Sequence, residues 1–329
     1  MSNVLCKTNQ EIPQDMLLGN LLFTNLIDMK IPVSDLTGIF KQNNIPETYV
    51  KTISTADAFR RASSSIKNRT LFITDANGNP EKVHVEIDEV KCDTDSIKRI
   101  IGVKRIDEVN EDIQYQPVGE IIFNRTGNVC VATPLCVPGD VNYQLLRGLC
   151  DEVEAKYADW SVYHNKDTVR NIINRIIADT HPVNLMPTGL CKFIPQGSTD
   201  LLYHLKEALK AMSTYRTNVM VGDNVMEIIP VIDTEEQREL VEKNFTAEIT
   251  NELFAFTQEL KEILVKKQTL SVRSASSYID KFNLLKQKAK EYESLLGIYV
   301  DSIHQQITKS LELVDSSTDT DEEQKGAGQ

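Results

Sequence analysis

The residues able to do chemistry are few and widely spaced. The histidines are His84, His164, His181, His204 and His304. No two stand at the HxH or HExxH spacing that puts two imidazoles on one metal ion, and none neighbours a cysteine at zinc-ligand spacing. No metal site is therefore expected. His164 and His181 flank an isoleucine-rich stretch, and Cys191 follows His181. A thiol beside an imidazole becomes a nucleophile pair when a third group orients the base, and the sequence offers no evident third group. The string Tyr163-His164-Asn165-Lys166 matches half of an HNH nuclease signature, without the paired ligands that complete it. GxxxxGK[ST], a post-strand GxGxxG and GxSxG are all missing, so no cofactor and no catalytic residue is assigned. A ligand cleft, if the fold makes one, would draw on Trp160, His164, Arg170 and His181. Trp160 is the single tryptophan, suited either to plugging a core or to stacking on a ligand.

Cationic side chains make a stronger pattern. From Lys266 to Lys290 the chain carries Lys266, Lys267, Arg273, Lys281, Lys286, Lys288 and Lys290 against Asp280 alone. Glu235, Glu236, Glu239 and Glu242 precede this stretch, and Asp301, Glu312 and an acidic tail follow it. A smaller group, Arg60, Arg61, Lys67 and Arg69, is opposed by Asp57. Such clusters contact nucleic-acid phosphates, with affinity that falls as salt rises, or dock on acidic protein surfaces. Their plain alternative is a solvated helix face, with cations favoured by the dipole near a helix C-terminus.

These side chains need elements to carry them. Residues 1–69 read as a helical cap: a stripe of Met16, Leu17, Leu21, Leu22 and Leu26, a helix with Leu36, Ile39 and Phe40, and a third from Thr55 through Asp57–Ala62 (DAFRRA). From Thr70 the apolar period becomes two, and short turns such as Asn77-Gly78 join the runs, predicting an antiparallel meander over 70–135. Residues 140–233 read as a small α/β layer packed on the meander. It has a helix striped from Val141 to Tyr157, a helix capped by Asp167, strands at Leu190–Ile194 and Met226–Ile232, and a helix between those strands. Over 234–314, Val241, Phe245, Ile249, Leu253 and on to Leu264, then Tyr278 to Val314, repeat by fours and threes. That period is a coiled-coil seam, so an antiparallel helical hairpin is expected, with Gly297 marking a kink or a close helix crossing. Residues 315–329 lack apolar anchors and read as a disordered acidic tail. The fold class is α+β.

Three strings carry a resemblance: DAFRRA (Asp57–Ala62), DWSVY (Asp159–Tyr163) with the helix containing Arg170, and Thr188–Leu209. Through them the chain resembles an uncharacterised family found in bacteria and their bacteriophages. In that family the last string reads Gly-Gly-Val-Tyr-Phe-Val-Pro, and here Leu190, Cys191 and Lys192 depart from it. The resemblance implies a bacterial or phage cytoplasmic origin and no known activity.

Bulk properties set the outer bounds. The net charge of −12 argues against a general nucleic-acid coat. No apolar run approaches the length that spans a bilayer, and no signal peptide is visible. The scattered cysteines lack a CxxC pair and suit reduced thiols. The expected protein is a cytoplasmic, non-enzymatic binding or assembly protein. It would self-associate through the helical hairpin and touch nucleic acid or a protein partner at the hairpin's basic tip. An inhibitor or adaptor acting only on a host protein is the alternative. An enzyme built on His164, Arg170, His181 and Cys191 comes third.

Overall fold

The structure, a computed structural model, describes residues 13, 16–75, 78–106, 113–186, 188–265 and 271–318. The first elements are strands β1 (Leu17–Asn25) and β2 (Lys30–Pro32) and helices α1 (Val33–Gln42) and α2 (Thr55–Ser64). Strands β3 (Thr70–Thr74), β4 (Pro80–Cys92), β5 (Ser96–Ile106), β6 (Ile113–Asn124) and β7 (Val129–Pro134) follow. Next come α3 (Tyr143–Trp160), β8 (Tyr163–Asn165), α4 (Lys166–Ala178), β9 (Val183–Asn184) and β10 (Lys192–Pro195). The chain continues through α5 (Thr199–Met212), β11 (Val225–Ile232), α6 (Glu235–Val265), α7 (Val272–Leu296) and α8 (Asp301–Thr318). Two compact units result, one of residues 28–39 and 46–169, the other of residues 1–27, 40–45 and 170–329.

The first unit contains the meander that the period-two pattern predicts. Strands β3 to β7 pair antiparallel in chain order. Val83 on β4 meets Leu71 on β3, Val85 and Ile87 meet Val103 and Ile101 on β5, and Ile97 meets Phe123 on β6. These residues are buried in one cluster with Phe59 of α2 and Leu149, Val153 and Tyr157 of α3. Bulges at Glu89/Lys91 and at Ile101/Gly102 add local twist, so the sheet curls. Gly102 is needed there because a Cβ would overlap the Tyr115 ring. Strand β7 lies at the sheet edge, where unpaired backbone groups invite aggregation. Helix α3 closes it. Glu154 accepts from the Ala132 N–H at 2.8 Å and Arg147 donates to the Ala132 carbonyl at 3.0 Å. Arg69 forks Glu152 of α3 at 2.6 and 2.8 Å, and these bonds, with Lys156, hold that carboxyl down at about 2.

The second unit overturns one expectation. The Met16–Leu26 stripe is not helical: Leu17–Asn25 is β1, paired with β10 on one side and β11 on the other. The four-stranded order is β11-β1-β10-β9. A short apolar run fits a buried strand as well as a helix, and pairing with β10 and β11 decides for the strand. A Cβ at Gly19 would collide with the Ile194 carbonyl and Phe193. Residues 140–233 also divide differently: α3 packs on the five-stranded sheet, while β10 and β11 flank β1. The expected hairpin over 234–314 is three helices. Gly297, at φ +68, ends α7 in the left-handed conformation that a side chain resists, and α8 starts at Asp301. The apolar repeat survives the break, since Phe282, Leu285, Leu296, Ile303 and Ile307 are buried with Phe245 and Ile249. Tyr299, expected in the seam, lies in the link and is 70% exposed. The helix continues to Thr318, past the expected start of the tail at 315, and residues 319–329 lie outside the described ones.

Side chains fasten these helices to the sheet. Tyr292 stacks on Phe245 (4.7 Å), meets Phe193 of β10 edge-on (6.2 Å) and donates to the His181 carbonyl at 2.9 Å. Lys288, 8% exposed, donates to the Pro182 carbonyl and to Glu248, both at 2.6 Å. Glu248 in turn accepts from the Asn184 backbone and side-chain N–H groups at 2.8 and 2.9 Å. Removing one member of a buried pair strands the other charge. Lys288→Gln should therefore cost about 3–5 kcal/mol in urea denaturation. A loss well below that would mean the pair is solvated and dispensable.

Candidate functional site

The first unit holds a cleft of about 240 Å³ at Trp160 and a second of about 320 Å³ between Ile73 and Leu146; the first brings the indole and cations together. Segments far apart in sequence build the Trp160 cleft. Pairing of β2 with β8 sets Lys30 against Asn165 and Ile31 against His164. The segment Lys51-Thr52-Ile53-Ser54 forms a second wall and leads into α2, which supplies Asp57, Ala58 and Arg61. The end of α3 supplies Asp159 and Trp160. Ser54 caps α2 by accepting from the Asp57 N–H at 3.2 Å, satisfying a first-turn donor. Asn165, not Asp167, accepts from the Thr168 N–H at the start of α4, at 3.0 Å.

His164 is 4% exposed, and Nε2 lies 3.0 Å from the Lys51 carbonyl. A carbonyl only accepts, so Nε2 carries the proton and Nδ1 of the neutral ring is the acceptor. Burial pushes this imidazole below its ordinary value, opposed by the bond to Lys51. Arg61 stands over the Trp160 ring, 5.1 Å from its centroid. Lys30 is tied to Asp159 at 2.8 Å, and Asp57 lies 3.8 Å from Arg60. Among the described residues neither Lys51 nor Arg61 has an ion-pair partner. Electrostatically, the cleft pairs an indole with two uncommitted cations, in a protein whose net charge is −12.

Of the four expected cleft residues, Trp160 and His164 come together, joined by Arg61, whereas Arg170 and His181 do not line the cleft. Arg170 is exposed on α4. His181 has φ +49 and is held by Glu291, Nδ1 to Oε2 at 2.5 Å. Cys191 is buried, which pushes its thiol up.

The basic residues separate by role. Lys266 and Lys267 lie outside the described residues. Lys288 is internal, as described above. Arg273, Lys281, Lys286 and Lys290 are exposed on α7, with the Lys281 ammonium 4.8 Å from the Phe256 ring centroid. Arg60 is committed to Glu89 at 3.2 Å and approaches Cys92 Sγ at 3.4 Å. Among the described residues no three His, Cys, Asp or Glu side chains group to hold a metal ion, and no helix is long and apolar enough to cross a membrane.

Lys30, Lys51, Asp159 and Asn165 went unrecognised in the sequence. Only Asp159 and Asn165 carried a signal, as neighbours of Trp160 and His164; Lys30 and Lys51 reach the cleft through long-range pairing alone. The strings DAFRRA and DWSVY both line the cleft, through Asp57, Ala58 and Arg61 and through Asp159, Trp160 and Tyr163. A family model spans residues 17–318. The chain belongs to the family of unknown function DUF6744. Comparison with curated proteins and with solved structures finds no match. For this DUF6744 protein, function must therefore be argued from its own geometry.

The buried imidazole gives the cleft a pH dependence. A ring whose folded value is depressed contributes stability above its unfolded value, about 6.5, and loses it as pH falls toward the folded value. The unfolding free energy should therefore decline from pH 7 to 5 more steeply in the wild type than in His164→Gln, whose amide can still donate to Lys51. Parallel declines in denaturant titrations would show that His164 is not buried neutral.

Proposed function

We propose that this DUF6744 protein is a non-enzymatic binding protein, cytoplasmic and of bacterial or bacteriophage origin, that takes a phosphate-bearing partner in the Trp160 cleft. The observation carrying this is the guanidinium of Arg61 over the Trp160 indole, beside Lys51, with both cations free of ion-pair partners among the described residues. An arginine fork suits phosphate oxygens, and an aromatic face suits a base or another planar group.

The second reading keeps the contact on the helices. Arg273, Lys281, Lys286 and Lys290 are exposed along α7, and such a face can meet nucleic acid or an acidic protein, including a host protein. Self-association through α6–α8 belongs to this reading and would use the apolar residues left exposed there, Leu240, Phe254 and Leu284, since the repeat itself is buried within the unit.

Fluorescence anisotropy of a labelled single-stranded oligonucleotide across a salt series separates the two. Arg61→Gln with Lys51→Gln should weaken binding at least about tenfold, whereas Arg273→Gln with Lys286→Gln and Lys290→Gln should change it little. The reverse ranking would move the function to α7. Absence of binding at low salt would overturn the nucleic-acid form of both readings.

A further inference from the structure

Resting on the reading of the cleft as an anion site, we propose that its ligand is a nucleoside monophosphate, the base on Trp160 and the phosphate on Arg61. The Trp160 side chain packs against the buried cluster of the first unit, and the Arg61 guanidinium stands over its ring. A base and a guanidinium compete for the same π face, and the stacking is tolerant of base identity. Arg61 is exposed at the cleft rim, so it can give up the indole and turn its fork onto a phosphate while staying at the site. Lys51 is the next cation, and α2 starts at the same wall, adding the partial positive charge of a helix N-terminus.

Size and charge narrow the ligand further. A volume of about 240 Å³, below the roughly 300–1,000 Å³ of drug-sized pockets, suits a single nucleotide unit with part of its surface outside the cleft. Asp57 and Asp159 also face the cleft and oppose a longer polyphosphate chain. Nδ1 of His164 and the amide nitrogen of Asn165, whose oxygen is taken by the Thr168 N–H and hydroxyl, supply a polar edge against which a base can hydrogen-bond. The unit could be a free nucleoside monophosphate or one residue of a single strand, and both present the same chemistry.

The single tryptophan makes the test direct. Emission of the full-length protein would be titrated with AMP, adenosine, inorganic phosphate and a short oligodeoxyadenylate, with calorimetry alongside. AMP or the strand should quench Trp160 saturably, and adenosine and phosphate should each bind at least about tenfold more weakly. A lower half-saturation for the strand identifies the single strand as the source, and a lower one for AMP identifies the free nucleotide; either supports the site. Arg61→Gln, with an unchanged circular dichroism melt, should lose the preference of AMP over adenosine. Phosphate binding as tightly as AMP would overturn the nucleotide assignment while leaving the anion cleft standing. No heat and no quenching from any of the four would overturn both.

Discussion

A buried ammonium sets the terms for the helical half of this protein. Lys288 sits on α7 where its neighbours are core residues, so its charge must be neutralised inside the fold. Glu248 of α6 and the Pro182 carbonyl do this at 2.6 Å each, and Glu248 also takes two N–H groups of Asn184. One ion pair thereby fixes the pairing of α6 with α7 and the position of the segment leading into β9. Burial pushes the neighbouring Glu252 carboxyl up, opposed by Lys288. Hydrophobic burial supplies most of the attraction between these helices and the sheet, but it is non-directional. The polar network selects the register.

The cleft rests on a comparable device at smaller scale. A three-residue pairing of β2 with β8 is too short to be stable alone. His164 reinforces it by reaching across to the Lys51 carbonyl, which ties the approach to α2 to the end of α3. Positioning of Arg61 and Trp160 therefore depends on a buried neutral imidazole and a capped helix. The chemistry itself is left to side chains at the rim. An aromatic ring beside an exposed cation is the layout on which the proposed binding role rests.

Much of the first unit was legible because its physics is local. Alternation at Val83, Val85 and Ile87 and the glycine turn at Gly78 specify strands without reference to the rest of the chain. The N-terminal strand was illegible for the opposite reason: Leu17–Leu22 is buried by partners from 192–195 and 225–232, and only that burial decides against a helix. Gly297 signalled a break, but whether the repeat would cross it depends on packing against α6. At the cleft, Trp160, His164 and Arg61 were visible as residue types, but not that Arg170 and His181 belong elsewhere. Lys288 was counted among surface cations because charge runs carry no mark of burial.

The central claim is that Trp160 and Arg61 form the ligand site. Its most direct measurement is a nitrogen–proton correlation spectrum of the labelled protein during an AMP titration, where the sole indole N–H gives one signal. That signal should move saturably, together with backbone signals of Ser54–Arg61 and Tyr163–Asn165. An indole signal that stays fixed while the Lys286–Lys290 signals shift would contradict the claim and place the binding surface on α7.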